Sequence, residues 1–204
     1  VLMMSGDLKQ AKTVATQLRG VSAKNGLSYA NTWSDYMQAC CSFHTCDIDK
    51  AIQHFAAAVE QKYIMHSIQA LNCLAGLSFS YQMTGQTEKA DQTMQQLTAF
   101  AHETDDAVRH SLAQTARIRL CLLQGDLEAG ADSIGSFSEA LNPSSFFVWL
   151  ELSHITHCRQ LIATGSNGSL KEASERLDVL REAAGAVHNT FHLIDILVLK
   201  ALAF

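Results

Sequence analysis

The chain has 204 residues, of which 48% are hydrophobic, 17% charged and one is proline. That is the composition of a folded globular unit, long enough to bury a core without disulfide or metal staples. Fifteen basic against 20 acidic residues leave a formal net charge of −5, which argues against a nucleic-acid-binding surface in this stretch, since such surfaces cluster Lys and Arg.

Val1-Leu2-Met3-Met4 runs straight into a turn at Ser5-Gly6-Asp7, without the layout of a signal peptide. A single Pro and 11 Gly give little punctuation for a many-stranded sheet, so helices are expected throughout. In chain order, amphipathic helices follow the phrases Gly6-Asp7-Leu8, Cys46-Asp47-Ile48, Gly85-Gln86-Thr87, Gly125-Asp126-Leu127 and Gly168-Ser169-Leu170. Between them lies a second set, expected near 27–44, 64–84, 105–124, 146–165 and 190–204. These are apolar on more than one side, as inner helices sandwiched between neighbours must be. Thr104-Asp105-Asp106 and Asn142-Pro143-Ser144 are starts for two of them. The last apolar run, 193–204, is interrupted by Asp195 and Lys200 and falls short of the roughly 18 residues of a membrane helix.

The five phrases are separated by 40, 39, 40 and 43 residues, and a fixed period of this size is the mark of a helical-repeat architecture. The last interval becomes 40 if Gly165 is the equivalent turn residue and Ser166-Asn167-Gly168 is a three-residue loop insertion. Five positions past each turn stand Ala11, Ala51, Ala90, Gly130 and Ala173, all small, so that a neighbouring helix can approach closely. Nine and twelve positions on stand Ala15, Phe55, Met94, Ile134 and Leu177, then Leu18, Ala58, Leu97, Phe137 and Leu180. Such steps keep one helical face apolar. The turn glycine supplies a permissive backbone, and Asp or Ser supplies an N-cap oxygen; Ser169-Leu170-Lys171-Glu172 has capping-box spacing. The chain starts like the tail of one inner helix and stops within another, so it reads as a single repeat domain, 1–204, within a longer protein.

Six cysteines scattered over the repeats read as reduced core thiols. The cluster Cys40-Cys41-x-x-His44-x-Cys46 holds four potential zinc ligands but lacks the paired spacing of structural zinc sites, so no metal and no cofactor is expected. No H-E-x-x-H, no G-x-S-x-G and no phosphate-binding loop occurs, and the nine histidines form no catalytic motif, so an enzyme is not expected. Arg117, Arg119 and Arg159 sit in otherwise apolar inner helices, where a guanidinium must be paired or face a groove. One reading pairs them between repeats, with Glu151 or Asp195 as partner. The other lines a concave groove with Gln114, Arg117, Glu151, His154, Arg159 and His192, suited to a polar effector, with Tyr36, His66 and Asn72 on the earlier inner helices. Trp33, Phe146, Phe147 and Trp149 could stack a sugar, or pack between repeats.

The stretch Phe147-Val148-Trp149-Leu150-Glu151-Leu152-Ser153-His154-Ile155-Thr156-His157-Cys158-Arg159, followed by Leu161-Ile162-Ala163-x-Gly165, resembles a signature of the tetratricopeptide-like region of LuxR-type, ATP-dependent transcriptional regulators, the maltose-regulon-activator-like family. His188-Asn189-Thr190-x-His192-Leu193-Ile194-Asp195-Ile196-Leu197 resembles the segment that follows, with Asp195 where Glu is usual. Leu122-Leu123-Gln124-Gly125-Asp126-Leu127, Ala75-Gly76-Leu77 and Val59-Glu60-Gln61-Lys62-Tyr63 also fit, and Ser153 stands where Pro is frequent. The resemblance implies an all-α, right-handed superhelix of antiparallel helix pairs, about five repeats of roughly 40 residues. It also implies a cytoplasmic, signal-sensing region whose partner is a small-molecule inducer or a regulatory protein. ATP binding and DNA binding then belong to other domains of the parent, which could self-associate. The alternative is a generic scaffold of the same fold that binds a peptide or protein helix.

Overall fold

The computed structural model describes residues 2–103, 106–127, 150 and 152–204, and all its regular structure is helical. The described helices are α1 (Leu8–Lys24), α2 (Ser28–His44), α3 (Ile48–Glu60), α4 (Ser67–Met83), α5 (Thr87–Ala101), α6 (Ala107–Gln124), α7 (Ser153–Thr164), α8 (Asn167–Ala186) and α9 (Thr190–Leu202), with a 3-10 turn at Lys62–Ile64. None of them is long and apolar enough to cross a membrane. Their contacts group them into two compact units, one essentially Asp7–Ala113 and the other Met3–Gly6 with Gln114–Phe204, the division falling within α6.

In the first unit each helix packs on the next from α1 to α5, and α2 also touches α4. The even-numbered helices are therefore sandwiched, as their two-sided apolar pattern requires. On α4 the run Ala70–Ser80 is buried without interruption. In the second unit α7 packs on α8 and α8 on α9, with α7 against α9. Their shared core joins Leu152, Ile155 and Cys158 to Leu177, Leu180, Ala184, Ile196 and Leu199. The turn before α1 belongs to this unit too: Met3 is fully buried, and the Phe191 amide donates to the Met4 carbonyl at 3.2 Å.

The repeat is visible as one recurring turn. Gly6, Cys46, Gly85, Gly125 and Gly165 all have left-handed backbone, with φ of 80°, 58°, 74°, 78° and 68°. At the first four, the turn residue's N–H bonds three residues back and the next N–H bonds five residues back, as in Cys46 to Phe43 (3.1 Å) and Asp47 to Ser42 (2.9 Å). This Schellman pattern satisfies the last carbonyls of the preceding helix and stops it. One residue before the turn, Thr45, Thr84 and Thr164 each donate their hydroxyl to the carbonyl four residues back. Asp7 caps α1 by accepting from the Gln10 amide at 2.9 Å, and Asp106 caps α6 by accepting from the Val108 amide at 2.9 Å.

The fifth turn corrects two expectations. Gly165 is the equivalent turn residue, yet Ser166-Asn167-Gly168 is not a loop. Gly165 makes the simpler bond to Leu161 (3.4 Å), Ser166 is the N-cap, and α8 starts at Asn167. The Ser166 hydroxyl accepts from the Ser169 amide at 3.1 Å, so Ser169 lies inside the helix and is not its cap. The insertion is absorbed as added helix: α8 has 20 residues, whereas α3 has 13 and α5 has 15. Three residues rotate a helix by about 300°, close to a full turn, so the buried face returns nearly to register. Accordingly Ala173, Leu177 and Leu180 are buried, in line with Ala51, Phe55, Ala58 and with Ala90, Met94, Leu97.

Two inner helices begin later than their patterns suggest. The 3-10 turn and extended His66 delay α4 to Ser67, and extended Leu152 delays α7 to Ser153. Ser153 is the first residue of α7, the position where a Pro would be tolerated. Leu18 is 37% exposed although its column is buried in α3, α5 and α8. Gly130, Ile134, Phe137 and the Pro143 start lie outside the described residues.

Candidate functional site

In the first unit, Tyr36 is fully buried on α2, its ring tilted against Trp33 at 5.5 Å. Burial, and then the neighbouring thiols of Cys40 and Cys73, push its phenol well above the usual range. The same burial raises both thiols, so Cys40 and Cys73 are inert core groups at neutral pH. Asn72 is buried on α4. His66 is exposed and acts as the N-cap of α4, its Nδ1 accepting from the Ile68 amide at 3.4 Å.

Next to Tyr36 stands Asp35, only 7% exposed. Its carboxylate is shared: Arg19 of α1 pairs with it, and His54 Nδ1 of α3 lies 3.1 Å away. A carboxylate buried this far must be compensated, and one α2 residue thereby ties together the helices on either side. On the same helix the Ser34 hydroxyl donates to the Ala15 carbonyl of α1 at 2.7 Å and also accepts from Gln38.

The second unit holds Gln114, Arg117, His154, Arg159 and His192; Glu151 lies outside the described residues, as do Phe146, Phe147 and Trp149. On α6, Gln114 and Arg119 are half-buried and Arg117 is exposed. Arg159 of α7 pairs with Asp195 of α9 at 2.5 Å, with 15% of the arginine side chain exposed. Of the two expected acidic partners for an arginine, Asp195 is therefore one in fact. His154 is half-buried on α7, while His192 is 4% exposed with its ring edge-on to Phe191. Because α7 and α9 touch, Arg159, His154 and His192 belong to one pair of adjacent helices.

Two more polar groups on α7 share this region. His157 is 7% exposed; burial first, then Arg176 of α8, hold its pKa below the usual value, so it is neutral at pH 7. Arg176 itself pairs with Glu172 at 2.9 Å. Gln160 is 4% exposed, and among the described residues neither its amide nitrogen nor its oxygen has a hydrogen-bond partner. A buried amide left unmatched costs about 1–3 kcal/mol per group, so such a group calls for an occupant or a function. Nothing in the sequence marks Gln160, because its isolation depends on how α7 is covered. Asp35 and its partners were equally hidden, since Arg19 and His54 lie on other helices.

Chemically, these groups offer hydrogen-bond donors and acceptors: neutral imidazole, amide, and a guanidinium already neutralised by a carboxylate. Among the described residues, no three His, Cys, Asp or Glu side chains converge as metal ligands would. Cys40 and Cys41 are buried in the helix while Cys46 is exposed on its turn. The family model described as MalT-like TPR region matches residues 1–204. Comparisons with curated proteins and with solved structures found no match.

Proposed function

Since the chain belongs, over its whole length, to the MalT-like TPR region family, we propose that it is the sensory repeat region of a LuxR-type transcriptional regulator. The region is not catalytic. It binds a small inducer or a regulatory protein and passes that event to nucleotide-binding and DNA-binding domains carried elsewhere in a cytoplasmic parent. The observation that carries this reading is the family match across all the repeats. The polar groups of α7 and α9 support it: His154, Arg159, Gln160 and His192 supply the mixed donors and acceptors that a polar effector requires. A ligand that binds one packing of the helix pairs better than another shifts the parent between inactive and active forms.

The test has two arms. A ligand that binds only the folded chain raises its apparent stability by about 2.7 kcal/mol at a hundredfold excess over Kd. A thermal-shift screen of sugars and other small polar metabolites should therefore find a stabilising compound, with the response lost in Gln160→Leu. The gene around this region should also encode a phosphate-binding loop upstream and a helix-turn-helix downstream. If both are missing and no metabolite shifts the melt, the scaffold reading replaces this one.

A further inference from the structure

The first half of α1 holds two cations that no described carboxylate pairs. Helix α1 carries Lys9, Lys12, Arg19 and Lys24 and no acidic residue, in a chain whose formal net charge is −5. Arg19 pairs with Asp35, and Lys24 stands in the last turn, where the helix dipole favours a cation. The other lysines are matched as well. Lys50 pairs with Asp47, Lys171 with Glu175 and Lys200 with Asp178, while Lys62 and Lys89 lie over the rings of Tyr63 and Tyr81. The ammonium groups of Lys9 and Lys12 have no carboxylate or hydrogen-bond partner among the described residues. They repel each other across one helical turn, and Lys9 lies in the first turn, where the dipole disfavours positive charge. The acids at this end of the helix are engaged: Asp7 accepts from the Gln10 amide at 2.9 Å, and Asp47, whose field reaches Lys12, bonds Lys50 at 2.6 Å.

Lys9, Lys12, Thr13, Thr16 and Gln17 line a surface cleft of about 350 Å³, within the range of about 300–1,000 Å³ for small-molecule sites. Their spacing puts all five on one face of the helix. The Thr13 hydroxyl donates to the Lys9 carbonyl at 3.0 Å and the Thr16 hydroxyl to the Lys12 carbonyl at 2.9 Å, so both oxygens are left as acceptors. The Gln17 carboxamide adds a donor and an acceptor. Neighbouring repeats leave this face open elsewhere. In α3, which stands between α1 and α5 in the chain, the equivalent Asp49 and Gln53 are exposed and Ile52, Ala56 and Ala57 half-exposed; in α5, Glu88, Asp91, Gln92, Gln95 and Gln96 are all exposed. Those columns carry Asp49, Glu88 and Asp91 where α1 has Lys9 and Lys12, so the reversal of sign belongs to α1 and not to the repeat.

We propose that this cleft of α1 binds a small phosphorylated polyol, its phosphate held by Lys9 and Lys12 and its hydroxyls by Thr13, Thr16 and Gln17. Two ammonium groups one turn apart balance a doubly charged phosphate, whereas a single carboxylate leaves one of them unmatched; lysine serves phosphate as a point charge, without the planar fork by which arginine selects carboxylates. The ligand's hydroxyls donate to the two threonine oxygens, whose own protons are already committed to the helix. Binding relieves the repulsion between the lysines. Because the groups are open to solvent, the attraction is screened by salt. This inference concerns α1 and stands apart from the polar groups of α7 and α9.

The probe is ribose 5-phosphate, titrated calorimetrically at low salt into the full 204-residue chain. Saturable binding is expected, weakened about tenfold by Lys9→Gln or Lys12→Gln, as loss of one charge-assisted hydrogen bond implies, and weakened again as salt rises. Ribose alone should not bind, and inorganic phosphate should compete. Lys171→Gln, on α8, should leave binding unchanged, and circular dichroism checks that each variant keeps its helix content. In the free chain, Lys9→Gln should not lower the urea midpoint, because that charge is unfavourable without its ligand. Absence of saturable binding, an unchanged Kd in the Lys9→Gln/Lys12→Gln double variant, or ribose binding as well as its phosphate would overturn the proposal. So would a lower midpoint in ligand-free Lys9→Gln, which gives that lysine a structural role, or binding confined to vesicles of anionic phospholipid.

Discussion

Gly76 of α4 is the position where the packing of this fold can be tested most directly. A Cβ added there would lie 2.6 and 2.8 Å from Cε2 and Cε1 of Phe55, and nearer still to Cζ. Carbon atoms sit comfortably at about 3.5–4.0 Å, so the ring must retreat by about 1 Å. Phe55 is fully buried, with Phe43 edge-on to it, so it has little room to move. Two effects oppose each other in Gly76→Ala. The helix gains about 1 kcal/mol from exchanging Gly for Ala, while overpacking a tight core costs about 1–3 kcal/mol, occasionally more. With three ring atoms in overlap the upper part of that range applies, and the net loss should be about 2 kcal/mol, or about 4–8 °C in Tm for a chain of this size. Urea denaturation followed by circular dichroism measures it. Phe55→Leu in the same chain removes the clash, so the double variant should lose at least about 1 kcal/mol less than the two single losses added together. A Gly76→Ala chain as stable as the parent, or strict additivity in the double variant, would show that the close approach is not what keeps this residue a glycine.

Two further expectations come from the turns and from α7. Cys46 occupies a left-handed turn position, φ 58°, where glycine stands at the four equivalent turns. Relief of that strain should outweigh the unfolded-state cost of a glycine, so Cys46→Gly should stabilise by about 1 kcal/mol; an unchanged or lower urea midpoint would count against it. His157 has its pKa depressed by burial and by Arg176. Above the unfolded value of 6.5 it is neutral in both states and contributes no pH dependence. As pH falls through that value the unfolded chain takes up a proton that the folded chain resists, so stability declines on the acid side. Urea midpoints should fall between about pH 7.5 and about pH 5.5, with a shallower slope in His157→Asn. Equal slopes would assign the decline to other groups.

The sequence by itself determined what is local and what repeats. A left-handed residue closing a helix, a hydroxyl or carboxylate starting the next, and a small residue one helical turn inside are each satisfied within a few residues. They can therefore be read from Gly6-Asp7-Leu8 and Ala11 without knowing any neighbour. The period of forty, the helical-repeat fold and the resemblance borne out by the family match all rest on such signals. Only the tertiary structure decided where three inserted residues go. At Gly165 the turn is anchored by its own hydrogen bonds and the buried face by its neighbours, and a helix lengthened by nearly one turn satisfies both. The pairing of Asp35 with Arg19 and His54, the link of Arg159 to Asp195, and the burial of an unmatched Gln160 were likewise set by contacts between helices. Whether a residue of an inner helix is covered and paired depends on which helices pack against it, a property of neighbours far along the chain.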